Sequence, residues 1–505
     1  MATVSEAIHV ARAHHRAGQL GQAEQIYRQI LAADPRNAAA LHLLGLIALQ
    51  VGRPELAVEW ISRAIRLDGF QAVFHADLGE AYRALEKLAD AQVCYEQVLR
   101  IQPDAADAYN VLGVIRQARG QLAEAKTCYE RALERNPADP AAQCNLAAVL
   151  QSEGNHAAAA QYLDRALATR PDHVEGRFLR STMWLAEGRY SEGWREFEHR
   201  AKCKSMPRRV EPQPRWDGAP LGDKTLLLYS EGGMGDVLQF VRYVPLVRAR
   251  SPRARVLVEV FRSLIPLLKE SGFTNVVGRG DADQSFDVQL PLMSLPAVFE
   301  TTLENVPCQI SYLSANSMRI AAWQRRLSEI EGFKVGIQWQ GSQIYGSDHQ
   351  RSFALSCFAP LAEVPGVQLI SLQKDAGSEQ VAETSAGFSV LTFPDLDESG
   401  GAFMDTAAIM KNLDLVITCD SAPGHLAGAL GVPGWIALTV APDWRWMLER
   451  TDSPWYPTVR LFRQRRLGDW SDVFRRMAVE LAGKVAEKKS LPVSSSAGRV
   501  STPKS

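Results

Sequence analysis

Asp236 stands in the stretch SEGGMGDVLQFVRYVPLV, residues 230–247, where an apolar run (TLLLYSE) breaks into glycines and at once becomes an amphipathic helix. A carboxylate there, with a pKa of about 4, is ionised at pH 7 and can take a proton from an attacking hydroxyl. Alone, Asp236 reads equally as a plain helix N-cap. The loop is not a P-loop, because no GK[ST] follows it, and the G-x-G-x-x-G spacing is absent. Residues 417–435, ITCDSAPGHLAGALGVPGW, offer the complement. A strand ends at Asp420, and an Ala/Gly-rich helix begins around Ser421–Gly424 with free backbone N–H groups and a positive dipole end, suited to a diphosphate. Pro423 has no N–H but is tolerated in a first helical turn. His425, one turn in, is placed to donate to a phosphate oxygen, and it also reads as a packed core histidine.

A third loop, QWQGSQIYGSDHQRSF (338–353), follows another strand and carries Trp339, Gly341 and Arg351. Lys374, in LISLQKD, ends the next strand. Singly, each cation reads as a solvated surface charge. Together these loops present an anion-binding helix start and two cations. That set suits departure of a diphosphate, with negative charge received on one side and a proton accepted on the other.

The elements that must position these groups are short apolar runs alternating with helical patterns. TLLLYSE, RVLVEV, NVVG and DVQLPL precede residue 295; KVGIQWQ, VQLISLQ, FSVLTF, DLVITCD and GWIALT follow residue 334. Strands alternating with helices predict parallel sheet, with ligands beyond the carboxyl ends of the strands. Two such blocks predict twin Rossmann-like lobes. MPRRVEPQPRWDGAPLGDK, residues 206–224, reads as a proline-rich linker before them.

Upstream, the chain matches itself at an offset of 34: Ala23, Ala57, Ala91, Ala125 and Ala159 share one phase. Pro35, Pro103, Pro137 and Pro171 share another, with Gly69 in the remaining slot. Gly45, Gly79 and Gly113 form a third phase, and Gly18, Gly52, Gly120, Gly154 and Gly188 a fourth. Tyr27, Ile61, Tyr95, Tyr129 and Leu163 hold a large-residue position. The period resembles the tetratricopeptide repeat, a helix–turn–helix unit that stacks into a superhelix with a concave groove for a peptide or protein. Five repeats span residues 4–173, and a degenerate sixth spans 174–207 with Trp184, Gly188, Trp194 and Phe197.

The charge balance, 56 basic against 57 acidic side chains, argues against a global field for nucleic acid or an anionic membrane. Seven scattered cysteines without CxxC spacing argue against a disulfide frame or zinc site. No run reaches ~18 apolar residues, and the first residues lack an apolar signal region. A reduced, cytoplasmic protein is the expectation.

GGMGDVLQF, VGIQWQGS with HQRSF, DSAPGHLAGALGVP, EGRYSEGWREFEHR and PDWRWMLERTDSPWYPTVRLFRQ together resemble the bacterial tetratricopeptide-repeat glycosyltransferases. Those have a family 9, heptosyltransferase-like domain and are similar in plan to flagellin glycosyltransferases. The resemblance implies an α-solenoid of tetratricopeptide repeats (4–207), a linker (208–224), and an α/β GT-B fold. Its lobes would be an acceptor-side one (225–322) and a nucleotide-sugar donor-side one (323–487), before a disordered tail (488–505). It implies metal-independent, inverting transfer with Asp236 as general base. The donor-contacting set would be Gly235, Trp339, Gly341, Arg351, Lys374, Asp420, Ser421, Gly424, His425, Asp443, Trp444 and Arg445. Ser421 replaces the family's threonine, and Pro423–Gly424 departs from its pattern. Trp444, Arg445 and Trp446 lie in the loop expected to flank the nucleotide, and a tryptophan there reads equally as bracing the lobe. The expected co-substrate is a nucleotide sugar, with no further cofactor, and the expected partner is an acceptor protein in the repeat groove, flagellin being one candidate. Two alternatives stand beside this: a non-catalytic repeat scaffold with a degenerate transferase domain, and transfer to a glycan or lipid-linked acceptor.

Overall fold

The computed structural model describes residues 3–203, 209, 212–281, 285–342, 348–383 and 387–490. It divides into two compact units, the first ending at Gly176 and the second beginning at Arg177.

The first unit is a stack of antiparallel helix pairs: Val4–Arg16 with Leu20–Ala33, Ala38–Gln50 with Pro54–Leu67, and Ala72–Ala84 with Leu88–Ile101. Ala106–Ala118 with Leu122–Arg135 and Pro140–Ser152 with His156–Thr169 complete it. The sequence phases have mechanical roles. In the second, third and fourth pairs the large residue of the second helix (Ile61, Tyr95, Tyr129) lies on the glycine of the first. A methyl on Gly79 would come within 2.6 Å of the Tyr95 ring, and one on Gly113 within 2.5 Å of Tyr129. Between the helices of a pair, Gly18, Gly52, Gly120 and Gly154 take left-handed backbone, with φ between 72° and 81°. The third pair has Glu86 in that slot, at φ 57°, where a Cβ is penalised.

The second unit holds two parallel sheets. β1 (Thr225–Tyr229), β2 (Arg255–Val260), β3 (Val276–Gly278) and β4 (Val288–Pro291) form the first, in the order β3-β2-β1-β4. β5 (Phe333–Gln338), β6 (Val367–Ser371), β7 (Leu415–Cys419), β8 (Gly434–Leu438) and β9 (Val459–Arg463) form the second, in the order β6-β5-β7-β8-β9. Period-2 alternation sends Leu415, Ile417 and Cys419 of β7 to one core with the Trp470–Ser490 helix. Val416, with Ile436 and Leu438 of β8, faces a second core continuous with the first sheet. One apolar core therefore joins the sheets.

Residues 388–393 (FSVLTF), read as a strand, form only the isolated parallel bridge of Leu391 to Ile370. The degenerate sixth repeat forms the helices Val174–Ala186 and Tyr190–Phe197, and from Arg177 to Cys203 it packs within the sheet-bearing unit. Trp194, in the Tyr190–Phe197 helix, meets Trp444 edge-on at 5.1 Å between centroids, and its indole N–H donates to the Thr301 carbonyl at 3.0 Å. Within the linker, Arg215 bridges Gln289 of β4 in parallel, and Trp216 is buried. Residues 208, 210 and 211 lie outside the described ones. The tail's first residues, 488–490, finish the last helix, and residues 491–505 lie outside the description. All seven cysteines are free thiols. No helix among the described residues is long and apolar enough to cross a membrane.

Candidate functional site

The loop after β1 turns at Ser230–Gly233 and enters the Met234–Phe240 helix. Asp236 folds back so that its Oδ2 accepts from the Gly233 N–H at 2.7 Å, capping its own helix. A side chain on Gly232 would collide with that carboxylate, which is why the loop must be bare there. Arg279, from the loop after β3, donates to the Ser230 and Gly232 carbonyls at 2.9 and 3.0 Å and so pins the turn.

In the second sheet, β7 delivers Asp420 and the Ala422–Leu430 helix. Ser421 has extended backbone at its N-cap, but its hydroxyl donates to Gln338 Oε1 at 2.7 Å rather than capping the helix. His425 is buried, stacks on Trp446 at 5.2 Å, and shares a 2.9 Å hydrogen bond through Nδ1 with the Tyr456 hydroxyl. Burial, with the Arg445, Arg242 and Arg351 charges, drives its pKa well below the ordinary value, so the ring is neutral at pH 7.

The two loops meet. A methyl placed on Gly235 would come within 2.9 Å of the His425 ring, so glycine is what permits the approach. Beside this contact, the turn after β8 supplies Asp443 and Arg445. The Arg445 guanidinium pairs with Asp236 Oδ1 through Nη2, with Asp443 Oδ1 through Nη1 at 2.9 Å, and with Gln239 Oε1 through Nε. Burial works against its charge, but Asp443 and Asp236 overcome that and hold its pKa above the usual arginine value. Burial first, then the Asp443 charge, pushes the Asp420 carboxyl up to about 6, opposed by the Trp446 indole and the Arg351 and Arg445 charges. Arg351 pairs with Asp348 at 3.0 Å, and Gly341, whose N–H donates to Ser352 at 3.0 Å, lies against that pair. Burial opposes Arg351's charge too, and the nearby Asp420 restores it.

Gly235, Asp236, Arg351, Asp420, Ser421, His425, Asp443 and Arg445 thus belong to one region with Gly341 at its side. Four others from the sequence reading do not. Trp339 is fully buried in the second sheet's core, its indole N–H on the Gly377 carbonyl at 3.1 Å. Gly424 faces Thr418 and Ile436, where its lack of a Cβ lets the helix sit on the sheet. Trp444 packs among Trp194, Phe197 and Trp455, and it reaches the site only through the Arg445 guanidinium, which lies 4.4 Å over its ring. Lys374 is committed elsewhere, donating to the Leu396 and Asp397 carbonyls at 3.2 and 3.0 Å and pairing with Glu398 at 3.1 Å.

Sequence reasoning missed Gln239, Gln338 and Tyr456. Gln239 was findable, since it lies one turn after Asp236 on the same helix face. Gln338 was findable from the pleat, which sends it to the face opposite Trp339.

Comparison with known proteins covers both units. Residues 11–72, 115–174 and 145–197 match the tetratricopeptide repeat family, and residues 79–118 match a TPR repeat description. Crystal structures of MamA (24% identity, 32% of this chain and 95% of that one, TM-score 0.31) and of YrrB, "a TPR protein with an unusual peptide-binding site" (20%, 35% and 92%, TM-score 0.32), are among the similar ones. Protein FlbA of Caulobacter vibrioides (strain ATCC 19089 / CIP 103742 / CB 15) is 27% identical over 499 residues, covering 94% of this chain and 83% of that protein. The chain therefore carries tetratricopeptide repeats ahead of a region of parallel sheets and helices, and it is similar to FlbA through both.

Proposed function

We propose that the chain is a heptosyltransferase-like glycosyltransferase of GT-B type. It moves a sugar from a nucleotide sugar to a Ser or Thr hydroxyl of a protein held by the repeats, and flagellin is the acceptor to test first. The observation that carries this reading is the meeting of two strand-end helix starts, with Gly235 of one against His425 of the other. In parallel α/β folds such strand ends are where ligands sit.

The Gly233 amide and the Arg445 guanidinium each take one lone pair of Asp236 and fix the plane of its carboxylate. A second lone pair on each oxygen stays open to an acceptor hydroxyl. As the hydroxyl oxygen bonds to the anomeric carbon, its proton passes to Asp236, and the electron pair of the breaking bond leaves on the diphosphate. Such a base is worth about 10²–10⁴-fold. The leaving charge meets the Ala422–Leu430 helix start, which no side chain caps, and Arg351 and Arg445 beside it.

One observation favours a non-catalytic scaffold instead. Both guanidiniums already face carboxylates, and Asp236, Asp348, Asp420 and Asp443 outnumber Arg351 and Arg445. A diphosphate has to compete with them.

The deciding experiment is a thermal-shift screen against UDP-, GDP-, ADP- and CMP-linked sugars, followed by transfer to a Ser/Thr-rich acceptor. A donor-dependent rise in Tm and a transfer rate that Asp236→Asn cuts at least a hundredfold support the transferase. A scaffold shows no shift, no sugar hydrolysis and no transfer.

A further inference from the structure

Five repeats fill one buried slot with an apolar side chain: Ile30, Ala64, Val98, Ala132 and Ala166, each 34 residues from the next. The sixth places Arg200 there, and it is equally buried. A guanidinium in a slot otherwise held by small apolar groups needs partners for its N–H groups and its charge. Here they come largely from the sheet-bearing region. Nη2 and Nε reach Glu231 Oε2 at 2.7 and 3.2 Å, and Nη2 also donates to Ser294 Oγ at 2.6 Å. Nη1 serves Glu198 at 3.0 Å and the Phe197 carbonyl at 3.2 Å.

Glu231 opens the glycine loop that carries Asp236. Gly232 and Gly233 have no side chains to anchor that loop, so its course depends on its flanks. Arg279 grips the Ser230 and Gly232 carbonyls. Glu231, whose side chain is only 7% exposed, is gripped by Arg200. Asp236 then hangs from the Gly233 N–H of the same loop.

We propose that Arg200 is a positioning residue for Asp236: acting through Glu231, it fixes the glycine loop and hence the place of the Asp236 carboxylate. The last repeat is thereby part of the site's frame. What Asp236 is held for rests on the transferase reading, whereas the holding itself is a property of the loop.

The test uses the full chain with E231Q, R200M and R200K, followed by amide hydrogen exchange and transfer kinetics. Exchange at Gly232–Val237 is expected to quicken about tenfold or more in E231Q and R200M, with Leu226–Leu228 of β1 unchanged. R200K, which keeps the charge but not the fork, is expected to fall between them and the wild type. In transfer kinetics kcat falls about ten- to a hundredfold while donor KM stays within about twofold. Unchanged loop exchange overturns the proposal, as does an acceleration spread evenly over both sheets. If R200M does not fold, E231Q decides on the same criterion. A wild-type chain without transfer activity whose loop still loosens in E231Q overturns the transferase reading and supports the role of Arg200.

Discussion

Asp236, in the first turn of the helix after β1, and Arg445, in the turn after β8, form an ion pair that ties the strand-end region of one sheet to that of the other. Arg445 is buried and also holds Asp443, so the pair is part of a triad with one cation between two carboxylates. Removing Asp236 leaves Arg445 buried with Asp443 alone, and removing Arg445 leaves two partly exposed carboxylates side by side.

Asp236→Asn is expected to cost about 1–3 kcal/mol, because Arg445 keeps Asp443. Arg445→Met is expected to cost about 1–3 kcal/mol, because Asp236 and Asp443 then face one another with only partial access to water. The double variant should be clearly less unstable than the two losses combined. Urea unfolding of the four proteins measures the coupling, and additive losses would show that the pair contributes nothing.

Gly235→Ala pushes a methyl into the His425 ring and is expected to destabilise by about 1–3 kcal/mol. His425→Ala makes room, so the double variant should recover at least ~0.5 kcal/mol relative to additivity. A Gly235→Ala protein with wild-type stability would mean that the two loops do not touch in solution.

The raised Asp420 carboxyl has a definite pH signature. The folded chain keeps this proton up to about 6 while the unfolded chain loses it near 4, so between those values the folded state binds more protons. Stability from this group therefore declines as pH rises through that window and levels off above it. Asp420→Asn lacks the effect. The unfolding free energy of wild type minus that of Asp420→Asn should fall from about pH 4 to pH 6. A difference that is flat or rising with pH refutes the assignment.

Glu86 offers a stability test in the solenoid. It occupies the left-handed slot that glycine fills in the other inter-helix turns and is solvent-exposed, so no contact compensates its backbone. Glu86→Gly is expected to stabilise the repeats by up to about 1 kcal/mol, and Gly120→Glu to weaken them by a similar amount. Circular dichroism melts of the full chain read both, and opposite signs are required.

The repeat was legible because each 34-residue unit meets a neighbour like itself, so each phase keeps one partner: glycine under tyrosine, alanine at the helix crossing. The strand-end loops were legible because a strand that stops at Asp420 before an Ala/Gly helix has few other readings. Trp339 was not. An aromatic side chain just past a strand looks the same whether the pleat turns it to a ligand or to the core, and here it is the core. Lys374 failed for a related reason: its long stem let the ammonium reach the Leu396 and Asp397 carbonyls, which no local pattern announces.

The order of apolar, small and turn-forming residues determined the helical repeats and the parallel strands, because those depend on neighbours a few positions away. Tertiary structure alone decided which charges meet. Asp236 and Arg445 are 209 residues apart in the chain, Arg200 and Glu231 are 31 apart, and each pair stands at hydrogen-bond distance. Charge pairing follows separation in space, so only tertiary packing could select these partners: the two sheets bring Asp236 to Arg445, and the turn after the Tyr190–Phe197 helix brings Arg200 to the loop after β1.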